Sequence, residues 1–81
     1  MISCQQYDYV EIACMYRYPI KLTMKSGNII EGIAVDTARN KNNEECIKII
    51  MDGNEILLVL DDIAQLKVTQ KNPYFNTVSL K

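Results

Sequence analysis

The stretch from Pro19 to Asp36, PIKLTMKSGNIIEGIAVD, decides the fold. From Ile20 to Met24, apolar residues alternate with polar ones, which is the period of a β-strand with one face on a core. Residues 26–28, Ser-Gly-Asn, then turn the chain. We therefore predict strands at 19–25 and 29–36.

The second of these strands is apolar at both odd and even positions and is interrupted by Gly32. A flat sheet with one wet face buries only every second residue of a strand. Apolar residues on both sides therefore indicate a sheet that curls, and Gly32 is the predicted bend.

The second half of the chain continues the pattern of short strands. Asp52-Gly53 is a strong hairpin signal between two apolar runs, and it predicts paired strands at 45–51 and 55–60. Asp61-Asp62 ends the second run as a turn. Alternation resumes in a strand predicted at 63–69, and a further short strand is predicted at 76–80.

The segment before Pro19 has a different character. Residues 6–17 contain no glycine or proline and end just before Tyr18-Pro19, so we predict a helix there. At helical spacing, one face is predicted to pack and consists of Tyr9, Ile12, Ala13 and Tyr16. The opposite, wet face consists of Asp8, Glu11 and Met15, with Tyr7 beside it.

Together these elements predict a mainly β fold with one N-terminal α-helix, in a single domain spanning 1–81. Five or six short antiparallel strands that bury residues on both faces must curl into a small, strongly bent barrel of the Sm or OB kind. The polar run Thr37 to Glu45, TARNKNNEE, is predicted to be a loop.

Composition narrows the functions that remain. The 81 residues are 48% apolar and 23% charged, an ordinary globular balance. A net charge of −1 provides no strong positive field for nucleic-acid binding. The absence of histidine excludes a Ser-His-Asp triad, a Cys-His pair and any His metal ligand.

The three cysteines, Cys4, Cys14 and Cys46, have no CxxC spacing and are expected to be reduced thiols that act as small apolar residues. A zinc site built from all three stays open as an alternative. The sequence shows neither a secretory leader nor an apolar run of membrane-spanning length, so we expect an intracellular, cytoplasmic protein.

Catalytic motifs are scarce, and two candidate binding features remain. Asp61 and Asp62 are adjacent and would point to opposite sides of a strand, so they make a poor acid–base pair. The helix face with Asp8 and Glu11 has a purely structural explanation, since acids in a first helical turn stabilise the N-terminus through the helix dipole. The polar loop 39–43 is either a solvated connection or a set of hydrogen-bonding groups for a partner.

The helix segment YDYVEIAC, Tyr7–Cys14, followed by PIKLTMKSGNIIEGIA, resembles the Rho-binding antiterminator family known as Rof. The likeness extends through the loop with Arg39, Lys41 and Asn42, and through LLVLDDIAQL, Leu57–Leu66. It covers the chain from Ile2 to about Val68.

This resemblance implies an N-terminal helix on an Sm-like barrel and inhibition of the transcription terminator Rho, a hexameric RNA-dependent ATPase. Members of the family bind Rho's primary RNA-binding region and keep RNA out. The matching positions imply Rho contacts at Tyr7, Asp8, Glu11, Arg39, Lys41 and Asn42. The resemblance implies no catalytic residue, metal or other cofactor, and we expect no direct nucleic-acid or membrane binding and a monomer when the protein is free.

Two further classes of function stay open. Leu22, Gly27, Ile30 and Gly32 look like the first Sm motif, which favours a stand-alone RNA-binding module; the Arg-Gly of the second motif is missing from 57–66. A small hydrolase or metal enzyme has only scattered carboxylates and the three cysteines in its favour.

Overall fold

The structure is a computed structural model that describes residues 3–80. It contains one α-helix, six strands and one short 3-10 helix. Their bounds are α1 (Cys4–Met15), β1 (Pro19–Met24), β2 (Ile29–Arg39), β3 (Glu45–Met51), β4 (Asn54–Val59), the 3-10 helix (Leu60–Asp62), β5 (Ile63–Val68) and β6 (Thr77–Ser79).

Helix α1 is fixed at both ends by local hydrogen bonds. The Ser3 hydroxyl accepts from the Gln6 amide at 3.1 Å, and the Ser3 amide donates to Gln6 Oε1 at 2.7 Å, which is a capping box. At the other end, Arg17 adopts a left-handed conformation with φ 53° and leads the chain away. The helix therefore spans 4–15 instead of the predicted 6–17.

The strands form one antiparallel sheet in the order β4-β3-β2-β1-β5-β6. Only the 3-10 helix joins β4 to β5, although three strands lie between them in the sheet. In a flat sheet these strands would be about 19 Å apart. Four Cα steps reach at most about 14 Å. The sheet is therefore strongly bent, and the mainly β fold with an N-terminal helix is confirmed.

The irregularity in β2 lies at Val35 and not at the predicted Gly32. The register with β3 shifts between Ala34 and Asp36, which is a bulge. A Cβ atom on Gly32 would lie 2.7 Å from the Ile50 carbonyl oxygen. Gly32 is thus needed for the close approach of β3, and the bulge redirects the residues that follow it.

The polar stretch after the bulge is more ordered than the predicted loop at 37–45. Strand β2 continues to Arg39, which pairs with Glu45, so only residues 40–44 form the loop. The hairpin at Asp52-Gly53 is present as predicted, with φ 53° and 80°. Positive φ at both residues is the hairpin turn that matches the twist of the strands.

The core lies between α1 and the curved sheet. Its buried side chains are Val10, Ala13, Cys14, Tyr18, Ile20, Leu22, Ala34, Ile47, Ile49, Leu60, Ile63, Leu66, Val68, Val78 and Leu80. The prediction for the packing face of the helix was partly wrong, because Tyr16 is 48% exposed. The helix packs against β2, and the C-terminal segment contacts Tyr9 and Tyr16 on it.

Candidate functional site: the outer face of the helix and the hairpin loop

Asp8 and Glu11 lie on the solvent-exposed side of α1. Both residues are exposed, and Met15 one turn further on is 69% exposed. We call Asp8 and Glu11 the acidic face of α1. Residues at i, i+3 and i+7 share one side of a helix, so the placement predicted from the sequence holds.

Stabilisation of the helix dipole does not explain the positions of these two acids. Because Ser3 caps α1 and Cys4 is its first residue, the first turn contains no acidic side chain. The interaction with the helix dipole falls off within that turn. Asp8 and Glu11 therefore lie too far along α1 to be explained by stabilisation of its N-terminus.

The carboxylates of the acidic face also have no internal partner. Within residues 3–80, the side-chain carboxylate of neither Asp8 nor Glu11 makes a hydrogen bond or an ion pair. Tyr7 differs, since it is half-buried and packs against the core. The acidic face thus carries solvated charges on a rigid element, with one partly covered aromatic ring beside it.

An open groove of about 340 Å³ lies between α1 and β2 and extends the acidic face. Glu11 lines it from the helix, and Asp36 lines it from β2 just after the bulge. Arg17 lines the same groove and supplies its one positive side chain. Sequence reasoning missed Asp36, because the sequence predicted neither the register shift next to this residue nor the groove.

Cys14 also lines this groove, and its thiol stays protonated near neutral pH. Burial, with smaller contributions from Asp36 and Glu11, raises the pKa of its thiol from 9.0 to about 12. Arg17 opposes this shift. A thiol with so high a pKa is not a thiolate near neutral pH, so Cys14 is neither a nucleophile nor a ready metal ligand.

The loop at 40–44 presents the second set of predicted residues in a different state. The Arg39 guanidinium donates to the Asn43 carbonyl at 2.8 Å and lies 3.2 Å from Glu45 Oε1. Lys41 and Asn42 are exposed at the tip. Arg39 thus braces the hairpin, whereas Lys41 and Asn42 project from it.

Asn40 holds this loop and was missed by the sequence reasoning. Its Oδ1 accepts from the amides of Asn42 and Glu44, both at 3.0 Å, and its Nδ2 donates to Glu44 Oε1 at 3.0 Å. Asparagine side chains in turns commonly bond to the backbone two residues on. The sequence indicates that Asn40 can make such bonds, but it does not identify Asn42 and Glu44 as the partners.

Strand β2 connects the two predicted parts of the site. Asp36 faces the groove beside Glu11, and Arg39 follows three residues later on the same strand. Three strand residues span about 10 Å. Pairing with β3 is regular from Asp36 to Arg39, so the side chains of these two residues point to opposite faces of β2, and the groove and the loop are close along the chain without direct contact between their side chains.

The C-terminal segment holds the other side of the helix. Phe75 packs on Tyr9 with ring centroids 5.0 Å apart, and Tyr74 stacks on Tyr16 at 5.2 Å. Gln6 Nε2 donates to the Ser79 carbonyl at 2.7 Å. These contacts fix α1 between the sheet and the end of the chain.

The remaining chemistry of the described residues is sparse. Residues 3–80 contain no group of three or more Cys, Asp or Glu side chains placed to hold a metal ion. No helix in this range is long and apolar enough to cross a membrane. The three cysteines are free thiols.

Comparison with known proteins identifies the family. A solved structure of YaeO from Vibrio cholerae O395, described as bound to magnesium, is similar with a TM-score of 0.87. It is 39% identical in sequence, and the match covers 93% of this chain and 97% of that one. No curated protein matches. The family model "Modulator of Rho-dependent transcription termination (ROF)" matches residues 1–80, and the chain therefore belongs to this family of transcription-termination modulators.

Proposed function

We propose that this protein inhibits the termination factor Rho by binding its primary RNA-binding region, so that RNA cannot load. The contacts are made by the acidic face of α1 with Tyr7, and by Arg39, Lys41 and Asn42 of the hairpin. The free protein is a monomer and acts in the cytoplasm on the Rho hexamer, and it works by occupation of a site, without catalysis or a cofactor.

The observation that carries this proposal is the pair of exposed, unpartnered carboxylates at Asp8 and Glu11. A region that binds RNA is lined by cations that pair with phosphates. Carboxylates accept the same charge-assisted hydrogen bonds from arginine and lysine that phosphates do. Because Asp8 and Glu11 have no internal partners, binding breaks no hydrogen bond or ion pair within residues 3–80.

The hairpin supplies a contact of another kind. Lys41 and Asn42 are exposed donors at a tip that Asn40 holds in one conformation. A preorganised loop loses little conformational freedom on binding. Short-range hydrogen bonds from this tip give orientation, while the carboxylates give attraction over a longer distance.

The test is a competition titration. Rho is saturated with fluorescently labelled RNA, the protein is added, and anisotropy is followed together with RNA-stimulated ATPase activity. We expect the wild-type protein to displace the RNA and to lower the ATPase rate. Full ATPase activity and unchanged anisotropy at saturating protein would overturn the proposal.

The variant Asp8→Lys with Glu11→Lys locates the contact. It is expected to lose competition, because two attractive charges become repulsive. The matched control is Glu31→Lys with Glu55→Lys, which makes the same change in net charge at exposed positions of the sheet. Equal loss in both variants would show that overall charge matters and not the acidic face. Direct retention of RNA by the protein alone on a filter would instead favour the Sm-like RNA-binding module.

A further inference from the structure

The charged residues are divided unevenly along the chain. All ten acidic residues lie within residues 1–62, together with six of the nine basic ones. Residues 63–81 contain Lys67, Lys71 and Lys81 and no acid. The net charge of −1, which predicts no direct nucleic-acid binding, is therefore an average over an acidic part and a basic part of the chain.

Lys21 adds a further cation to the basic part, because it lies directly opposite Lys67 in the pairing of β1 with β5. Side chains at directly opposite positions share one face of a sheet, and like charges placed there destabilise the pair. Glu31 lies opposite Lys21 on β2, but within residues 3–80 the ammonium groups of Lys21, Lys67 and Lys71 form no ion pair or hydrogen bond. An anion that neutralises Lys21 and Lys67 together would remove their repulsion.

An open groove of about 390 Å³ connects Lys67 with Lys71. Apart from Val68, its lining residues are all polar: Lys67, Thr69, Gln70, Lys71 and Asn76. Ammonium, hydroxyl and carboxamide groups are the donors with which proteins bind phosphate oxygens. We call this groove, with Lys21 opposite Lys67, the basic groove.

The segment that borders the basic groove also carries an exposed aromatic ring, that of Tyr74. One carboxamide links the two: Asn72 Nδ2 donates to the Gln70 carbonyl at 3.1 Å, and Asn72 Oδ1 accepts from the Tyr74 amide at 2.9 Å. The Tyr74 ring stacks on Tyr16 with centroids 5.2 Å apart, yet Tyr74 is 47% exposed. The ring is therefore held in place while part of its surface stays open, and bases stack on aromatic rings of this kind.

We propose that the basic groove and Tyr74 bind a short stretch of single-stranded RNA, with phosphates on Lys21, Lys67 and Lys71 and a base on Tyr74. A cationic groove combined with an aromatic ring is how proteins bind single strands without reading their sequence. An acidic peptide would match the lysines but would leave Tyr74 without a stacking partner, so the ring favours RNA. This contact uses none of the residues of the proposed Rho contact and does not depend on it.

The test follows the anisotropy of a labelled single-stranded RNA of about ten nucleotides as the protein is added without Rho, at salt concentrations from about 50 to 200 mM. Three phosphate contacts predict that the logarithm of the binding constant falls with the logarithm of salt with a slope of about −2. Lys67→Gln with Lys71→Gln should reduce this slope to about −0.7, because one such contact remains. Tyr74→Ala should weaken binding at least about fivefold without changing the slope, whereas Tyr74→Phe keeps the ring and should bind nearly as the wild type does.

Lys25→Gln with Lys48→Gln is the matched control, because it makes the same change in charge at positions outside the groove. Absence of binding at 50 mM salt, or an equal loss in this control, would overturn the site. Full RNA binding by Lys67→Gln with Lys71→Gln would also overturn it, and would place the contact elsewhere, as an Sm-like module requires. Both lysines are exposed, so their replacement leaves the core intact.

A polyglutamate peptide tests the competing ligand. We expect it to displace the RNA only weakly, because it offers no base to Tyr74. Displacement as strong as that by unlabelled RNA, together with unchanged binding by Tyr74→Ala, would show a general anion site and overturn the assignment to RNA. Because these measurements contain no Rho, their failure would leave the proposed inhibition of Rho standing.

Discussion

The acidic face of α1 and the hairpin loop at 40–44 belong to the same proposed contact but are built in opposite ways. Asp8 and Glu11 are solvated, carry negative charge and have no partner within residues 3–80. The hairpin carries two cations, Arg39 and Lys41, beside two carboxylates, Glu44 and Glu45, so its formal charges balance. Arg39, at the end of β2, is already bonded to Asn43 and Glu45.

In the proposed contact, this difference assigns the attraction to the helix. A region that binds RNA is positively charged, so it attracts Asp8 and Glu11, whereas repulsion of Arg39 and Lys41 is offset at a distance by attraction of Glu44 and Glu45. We therefore expect the loop to contribute through short hydrogen bonds made after contact. Rigidity is common to both parts, since a packed helix carries one and the Asn40 hydrogen bonds hold the other.

The largest effect is expected from neutralising the two parts separately. Asp8→Asn with Glu11→Gln should weaken binding to Rho by about 100-fold or more, because close charge pairs across an interface are each worth about 1.5 kcal/mol or more. Arg39→Gln with Lys41→Gln should change affinity by only about threefold, because lost hydrogen bonds and relieved repulsion oppose each other. Both affinities are measured by RNA competition.

Salt titration of the same variants sharpens this result. The helix variant should lose most of its dependence on ionic strength, whereas the loop variant should keep it. Glu31→Gln with Glu55→Gln serves as the control with the same charge change as the helix variant. A loop variant that binds more weakly than the helix variant would reverse the roles assigned to the two parts.

The pKa of Cys14 gives a second prediction, for the groove that the acidic face borders. Its thiol titrates near 9 in the unfolded chain and at about 12 in the folded protein, so folding favours the protonated form. This stability is complete below pH 9 and is lost as the pH rises toward 12. We expect a fall in unfolding free energy on the order of 2 kcal/mol, allowing for solvent in the open groove.

Urea denaturation at pH 8, 9 and 10 measures the first part of this fall, on the order of 1 kcal/mol, because the thiol of the unfolded chain ionises above pH 9. The variant Cys14→Ala is the comparison, because it removes this one titration while lysines and tyrosines remain. It should be less stable at pH 8 but should lose less stability with rising pH. An equal slope in both proteins would show that Cys14 does not titrate as the structure implies.

The strands were predictable because their pattern is local, and the features that shape the site were not. Alternation and the Asp52-Gly53 turn locate the strands directly. The bulge at Val35 depends on how β2 pairs with β3, and a single sequence carries no record of register. A sequence pattern that does not include the bulge does not place Asp36 near Glu11.

The prediction of the helix was limited in the same way, by contacts with distant parts of the chain. Its acidic face followed from 3.6-residue spacing, which needs only the chain itself. The apolar face was predicted for one packing surface, but the helix packs against both β2 and the C-terminal segment. Tyr16 therefore contacts Tyr74 at the surface and is not in the core, because a partner 58 residues away decides its place.

A smaller effect is expected from the residue that holds the loop. Asn40→Ala removes three side-chain hydrogen bonds, to Asn42 and Glu44, at a site partly open to water. It should lower the unfolding free energy by about 1.5–2 kcal/mol, since each of the three bonds contributes about 0.5 kcal/mol or slightly more at a site open to water. Ser3→Ala, which removes the helix cap, should cost a similar 1 kcal/mol or so. The two differ in binding: Asn40→Ala should weaken the Rho contact made by the loop, and Ser3→Ala should leave it intact.

The smallest effect should come from the ion pair of Arg39 and Glu45. The two side chains are 54% and 43% exposed and 3.2 Å apart, and exposed pairs contribute about 0.2–1 kcal/mol. Glu45→Gln should therefore change the unfolding free energy by less than about 0.5 kcal/mol while it frees the guanidinium for a partner. If Arg39 contacts Rho, this variant should bind as well as the wild type or slightly better in the competition assay. Weaker binding by Glu45→Gln would mean that the orientation of Arg39 by Glu45 matters more than its release, and the loop would then be a preformed contact like the helix.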